Sequence, residues 1–180
     1  FPEGTRLAID PYHVSELVEP VDMIVITHSH SDHCSIKDIT RLAKKGTVVV
    51  CPADAQSKIT KVKSVEMHTV EVGDSFCLGK VCFDVVAAYN IGKDHHPKSE
   101  GWVGYVIKYG PVIIYHAGDT DKTPEMHKLS GYGKQGNHFL ALLPVSGTYT
   151  MTAEEAAEAA SLLNPELTIP MHYGAGVAGT

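Results

Sequence analysis

The sequence predicts an α/β protein built from two β-sheets with helices packed outside them. Strand-helix alternation runs at both ends of the 180-residue chain, while residues 64–88 read as a β-meander. Apolar residues make up 43% of the chain, enough to bury a substantial core. Cation-binding side chains recur where predicted strands end. The length bounds the chain to one domain, or a domain with a small appendage, and residues 1–180 are read as a single domain without repeats or linkers.

Each element has its own signal. Residues 6–9 form a strand stopped by Asp10-Pro11, where Asp10 is either a site residue or an ordinary turn starter. Residues 21–27 are a second, buried strand. Ser35 is the predicted N-cap of a helix through Lys45, with Ile36, Ile39, Leu42 and Ala43 on one face and Gly46 ending it. A strand over 47–51 closes at Pro52, and a short helix follows around 53–59. The β-region comprises strands at 65–72, 75–78 and 81–88, separated by Gly73-Asp74 and Gly79-Lys80 turns. Residues 90–101 are polar and irregular and carry His95-His96-Pro97. Strands at 102–108 and 112–115 pair through Tyr109-Gly110-Pro111, and Pro124 opens a short helix at its first position. After a loop containing Gly131, Gly133 and Gly136, a strand spans 139–143. Thr152 and Glu155 make a capping box for a helix to Leu163, which Asn164-Pro165 ends. A last strand, 167–170, delivers Met171-His172-Tyr173-Gly174.

Composition narrows the function. The formal charge is -6, and the basic residues are scattered, so no basic stripe marks a nucleic-acid groove. No segment approaches the roughly 20 apolar residues that span a membrane. No signal peptide is visible, and Cys34, Cys51, Cys77 and Cys82 show neither a C-x-x-C pair nor disulfide-framework spacing. A reduced, cytoplasmic protein is expected, with no nucleic-acid or membrane partner and with homo-oligomerisation left open.

The chemistry concentrates in Thr27-His28-Ser29-His30-Ser31-Asp32-His33, directly after the apolar run Met23-Ile24-Val25-Ile26. In an extended turn, His28 and His30 project to one side and can grip one cation, while Asp32 and His33 beyond the bend can grip a second. Imidazole nitrogen and carboxylate oxygen are the donors zinc accepts. A carboxylate between two cations is a natural bridge, and Asp119 in Ala117-Gly118-Asp119-Thr120 suits it. Asp10, Asp119 and His172 each follow a predicted strand, and His95 and His96 lie in a loop between strands. Taken alone, Asp119 and His172 have bland readings as a turn residue and a solvated histidine. His13, His68, His127 and His138 are assigned to structure or surface, and Cys34 to a small buried position. The Ser146–Thr150 loop reads equally as an anion cradle before a helix or as a plain tight loop.

These motifs resemble the metallo-β-lactamase fold hydrolases over essentially the whole chain. Asp10 in Ile9-Asp10-Pro11 looks like the first motif of that family, and His28, His30, Asp32 and His33 match its His-x-His-x-Asp-His signature. A histidine in the 94–98 loop would be the third motif, Asp119 the fourth and His172 the fifth. His96, which precedes Pro97, fits better than His95. The runs from His96, Tyr115, Leu143 and Ile169 are most similar to the branch that includes ascorbate-6-phosphate lactonase, UlaG. The resemblance implies a four-layer αββα sandwich of two mixed sheets with helices on the outer faces.

It also implies two divalent cations, zinc first, with manganese or iron as alternatives. One would take His28, His30 and His96, the other Asp32, His33 and His172, with Asp119 bridging. Asp10, His95, His116 and Thr120 would stand behind these ligands. A hydroxide held between the cations would attack a lactone or ester of a small, phosphorylated metabolite, with Asp32 and Asp119 orienting it and carrying the proton. A small or lipid-like phosphodiester is the alternative substrate, and a non-catalytic metal-binding module the alternative class. Di-iron redox relatives carry a glutamate where His30 stands, with an added flavin domain. Two departures are visible: only nine residues precede Asp10 where the family has a strand pair with Gly-His, and the chain stops at Thr180 where the family continues into a helix. A chain shortened at both ends is therefore expected.

Overall fold

Val-, Ile- and Thr-rich segments too short for helices dominate the chain, and they pair into two sheets that sit in two compact units, Phe1–Glu71 and Val72–Thr180. The computed structural model describes residues 1–134, 136–174 and 177, so the last residues of the predicted domain, 178–180, lie outside it.

In the first unit, β1 (Leu7–Ile9), β2 (Val21–Val25), β3 (Ala43–Pro52) and β4 (Val65–Val70) form a sheet in that order. All three pairings are parallel rather than mixed. Each connection is a crossover long enough to return the chain to the starting edge, which parallel strands require. Helix α1 (Ile36–Leu42) makes one crossover, and α2 (Gln56–Ile59), preceded by a 3-10 turn, makes another. Ile24, Ile26, Val49 and Cys51 from the sheet pack with Ile39, Leu42 and Ile59 from the helices into one buried core.

Two expectations are corrected here. The helix from Ser35 stops at Leu42 instead of Lys45, and Lys44, Lys45 and Gly46 belong to β3. Thr47 decides this. Its hydroxyl accepts from the Lys44 amide at 2.9 Å and donates to the Val21 carbonyl at 2.7 Å, fastening an irregular register between β2 and β3. Lys44 Nζ also meets Asp22 at 2.5 Å. The predicted meander begins later than Ser64, because Val65–Val70 pairs parallel with β3 and closes the first sheet.

The second unit opens on β5 (Ser75–Leu78) and β6 (Val81–Ala87), then β7 (Val103–Tyr109), β8 (Val112–His116), β9 (His138–Pro144) and β10 (Leu167–Met171). The order is β10-β9-β8-β7-β6-β5, antiparallel from β5 to β8 and parallel from β8 to β10. Helix α3 (Ala153–Leu163) starts at the expected capping box: Thr152 accepts from the Glu155 amide and Glu155 accepts from the Thr152 amide. Its Ala156, Ala159 and Leu163 cover Tyr115, Phe139 and Leu143 together with Met126 and Leu129 of a 3-10 turn, Pro124–Leu129. Among the described residues no helix is long and apolar enough to cross a membrane.

The cysteine reading is also corrected. Cys77 and Cys82 form a disulfide, because the Gly79-Lys80 turn sets β5 and β6 in the register that places them opposite each other. Cys34 and Cys51 are free and buried, and burial pushes their thiols up to about 11 and about 12. Under denaturing, non-reducing conditions a thiol reagent should therefore titrate two cysteines, and four after reduction. The native protein should react slowly, since buried neutral thiols are poor nucleophiles. Four reactive thiols without reductant would contradict the bridge.

Candidate metal centre

In the first unit the candidate ligands are set by a strand, a tight turn and one carboxylate. β2 leads into Thr27-His28, and the turn closes where His33 and Cys34 amides donate to the His30 carbonyl at 3.1 and 2.7 Å. The His28 ring lies 4.6 Å from that of His30 and 4.1 Å from that of His33, centroid to centroid. His28 and His33 are buried, whereas His30 and Asp32 are exposed. Asp32 Oδ2 sits 3.6 Å from His33 Nε2.

Behind this turn stands Asp10, held at a φ of 42°, in the left-handed region that non-glycine residues seldom occupy. It accepts from the Thr27 amide at 2.8 Å and from the Thr27 hydroxyl at 2.6 Å, and meets His33 Nδ1 at 2.8 Å. These bonds fix both tautomers. The carboxylate only accepts, so His33 carries its proton on Nδ1 and presents the Nε2 lone pair. The single Thr27 proton goes to Asp10, so at 2.9 Å the hydroxyl can only accept from His28 Nδ1. His28 therefore also presents Nε2 as a lone pair. Committing Nδ1 so that Nε2 is left to coordinate is the usual arrangement at histidine metal sites.

Sequence reasoning missed two supports of the turn. Asp54 accepts from the Ser29 amide at 3.1 Å, and Lys58 donates to the Ser29 carbonyl. The amide and the carbonyl of Ser29, between His28 and His30, are thereby both held.

In the second unit three predicted residues converge. Asp119 Oδ2 lies 3.5 Å from His96 Nε2 and 3.3 Å from His172 Nε2. Asp119 is 3% exposed and His96 4%, so this is a desolvated cluster. His96 and His172 both have positive φ, 56° and 57°, and backbone strain of this kind concentrates at functional sites. His96 Nδ1 donates to the Tyr149 carbonyl at 2.8 Å, which leaves its Nε2 as a lone pair. His95, by contrast, is exposed and rests edge-on against the Tyr149 ring.

The loop carrying Asp119 is clamped from several sides. Thr120 is fully buried, its hydroxyl donating to the Tyr89 carbonyl at 2.9 Å and accepting from the Tyr89 amide at 3.1 Å. Asp121 accepts from the Ile91 amide at 2.9 Å and pairs with Lys93 at 2.5 Å, and Lys93 also donates to the Thr150 carbonyl. Asn90 donates to the Tyr149 carbonyl at 2.7 Å. His116 is buried at the end of β8, its Nδ1 accepting from the Gly118 amide at 3.3 Å. The Ser146–Thr150 loop spends its amides internally: Ser146, Gly147 and Thr148 donate to Thr150 Oγ1, Met151 O and Ser146 O. Those three amides are therefore committed to the tight loop.

The donor set fits a divalent cation. In the first unit two buried imidazoles, and in the second unit one, commit Nδ1 to an oxygen and carry the lone pair on Nε2, and in the second unit a buried carboxylate faces two imidazoles. Fold and donors together define a metal-dependent hydrolase of metallo-β-lactamase type. The chain belongs to the metallo-β-lactamase superfamily, since the family described as "Beta-lactamase superfamily domain" matches residues 2–173. Its relatives carry the name UPF0173 metal-dependent hydrolase. One from Pyrococcus furiosus is 37% identical over 95% of this chain and 79% of the relative, and one from Nanoarchaeum equitans is 34% identical over 93% and 76%. Among solved structures, a protein of Parabacteroides distasonis, provisionally classed as a metal-dependent hydrolase, superposes with a TM-score of 0.84 at 29% identity, over 96% of this chain and 76% of that one. Igni18, a metallo hydrolase of the hyperthermophilic archaeon Ignicoccus hospitalis, does so with a TM-score of 0.73 at 27% identity, over 96% and 76%.

Two outcomes follow from this geometry. Asp10→Ala should weaken divalent-metal affinity by about 10–100-fold while the circular dichroism spectrum stays native, because it frees two histidine tautomers at once. Unchanged metal affinity by competition titration would refute that role. Gly104 in β7 has no room for a side chain, since a Cβ would meet the His116 and Ala117 carbonyls at 2.8 Å. Gly104→Ala should displace the segment leading to Asp119 and lower metal content and turnover together.

Proposed function

We propose that this enzyme hydrolyses a lactone or ester of a small, anionic, phosphorylated metabolite, using two divalent cations held by seven side chains. His28, His30 and His96 would hold one cation and Asp32, His33 and His172 the other, with Asp119 shared between them. The observation that carries this reading is the convergence of His96 Nε2 and His172 Nε2 on one oxygen of Asp119. Two histidines assigned to different cations meet at the carboxylate assigned to both. The substrate class rests on the resemblance of the runs from His96, Tyr115, Leu143 and Ile169 to the lactonase-containing branch.

When bound, the cations supply Lewis acidity and bring the pKa of water from 15.7 toward about 7. The chain's own residues do the rest. Asp119, buried and fixed by its loop clamps, orients the nucleophile and excludes alternative geometries. Asp32, whose side chain is 46% exposed, is the carboxylate with access to both solvent and leaving group, and it carries the proton across. His33 and His28 keep their orientation through Asp10 and Thr27 during the reaction. Zinc is the proposed native metal. The proposed partner is a small molecule, without nucleic acid or membrane. The proposed compartment is the cytoplasm, on the buried free thiols of Cys34 and Cys51, and the Cys77–Cys82 bridge is the observation that speaks against it.

Asp119→Ala should lose at least one equivalent of metal by elemental analysis, and hydrolysis should fall by roughly 10²–10³-fold or more. Full metal content with full turnover would overturn the bridge. A panel of lactones, carboxylic esters and phosphodiesters, assayed on the zinc-loaded wild type, decides the substrate. Activity confined to phosphodiesters would replace the lactone reading.

A further inference from the structure

The ligand turn of the first unit carries a positive charge that its hydrogen bonding leaves unused. Lys58, in α2, donates to the carbonyl of Ser29, the residue between His28 and His30. That carbonyl is its one hydrogen-bond partner among the described residues, and no carboxylate there pairs with it. Two other half-buried lysines differ: Lys93 and Lys108 each meet a carboxylate, of Asp121 and Asp84, at 2.5 and 2.6 Å. Asp54, a turn earlier in the chain than Lys58, accepts from the Ser29 amide at 3.1 Å. The two charges thus grip opposite ends of one residue rather than each other.

An ammonium group has three N–H donors, and the bond to Ser29 leaves two. Holding a carbonyl needs no charge, since a neutral donor does it as well, yet a half-buried cation without a counter-ion costs desolvation. Binding an anion offsets that cost. The chain as a whole carries a formal charge of -6, so it repels anions, and a local cation has to gather them. His30, next to Ser29, is exposed, so an incoming molecule reaches this part of the turn. An ammonium with two donors to give, set between two candidate metal ligands, specifies a compact anion with several acceptor oxygens.

We propose that Lys58 determines specificity at this site, binding the phosphate group of the substrate beside the cation that His28 and His30 would hold. The inference rests on the anionic substrate proposed above and assigns the residue that recognises its charge. The test titrates inorganic phosphate into the metal-loaded full chain, following amide resonances by NMR. Lys58→Met should weaken phosphate about tenfold or more, with divalent-metal affinity at the wild-type level. Lys58→Arg, which keeps the charge and the donors, should retain most of the phosphate affinity. Added salt should weaken phosphate more steeply in the wild type than in Lys58→Met. Equal phosphate affinity in Lys58→Met would overturn the proposal. So would a parallel loss of metal affinity in that variant, which would make Lys58 a clip for the turn alone. The titration needs no turnover, so its failure is distinct from failure of the lactonase reading. A wild type that binds phosphate through Lys58 yet hydrolyses no lactone or ester removes that reading and leaves the anion site standing.

Discussion

The proton of one threonine hydroxyl governs how the candidate ligands of the first unit are presented. Thr27 has a single hydrogen to give, and Asp10, an acceptor only, takes it at 2.6 Å. The direction of every neighbouring bond follows. His28 must donate from Nδ1, and His33 does the same to the other side of the system, so both rings present Nε2. A carboxylate placed one residue earlier or later would leave the tautomers free and the coordinating nitrogens uncertain. Asp10 accepts a strained backbone to reach that position, a conformation worth about 1–3 kcal/mol in unfavourable energy.

The second unit is built on a different principle. There the candidate ligands come from separated loops, and backbone carbonyls fix them. His96 is oriented by Tyr149, and Asp119 is carried by a loop sewn to Tyr89 through Thr120 and Asp121. Buried polar networks of this kind rigidify a site only when their members are satisfied together. The Lys93–Asp121 pair, which also reaches the Thr150 carbonyl, adds a charge-assisted tie to that network.

The readable part of this architecture is the part that is local in sequence. His28 to His33 form a contiguous cluster behind an apolar strand, and the capping box at Thr152 and Glu155 is a pattern three residues long. His96 was distinguishable from His95 through its neighbour Pro97. The supports were not legible, because they join positions 25 to 59 apart: Asp54 to Ser29, Asn90 and His96 to Tyr149. The end of α1 was hidden for the same reason, since Thr47 draws Lys44 into the sheet through a contact with distant Val21. The disulfide is a different case. Its signal was present in the Gly79-Lys80 hairpin, whose register places Cys77 opposite Cys82, but spacing rules for cysteines do not encode strand register.

Asp10 also leaves β1, a strand of three residues at the outer edge of its sheet. Edge strands are among the first segments to fray, with opening free energies well below that of the whole fold. In this protein such fraying withdraws the carboxylate that orients His28 and His33. Loss of function on warming should then precede loss of structure, with both cores still intact.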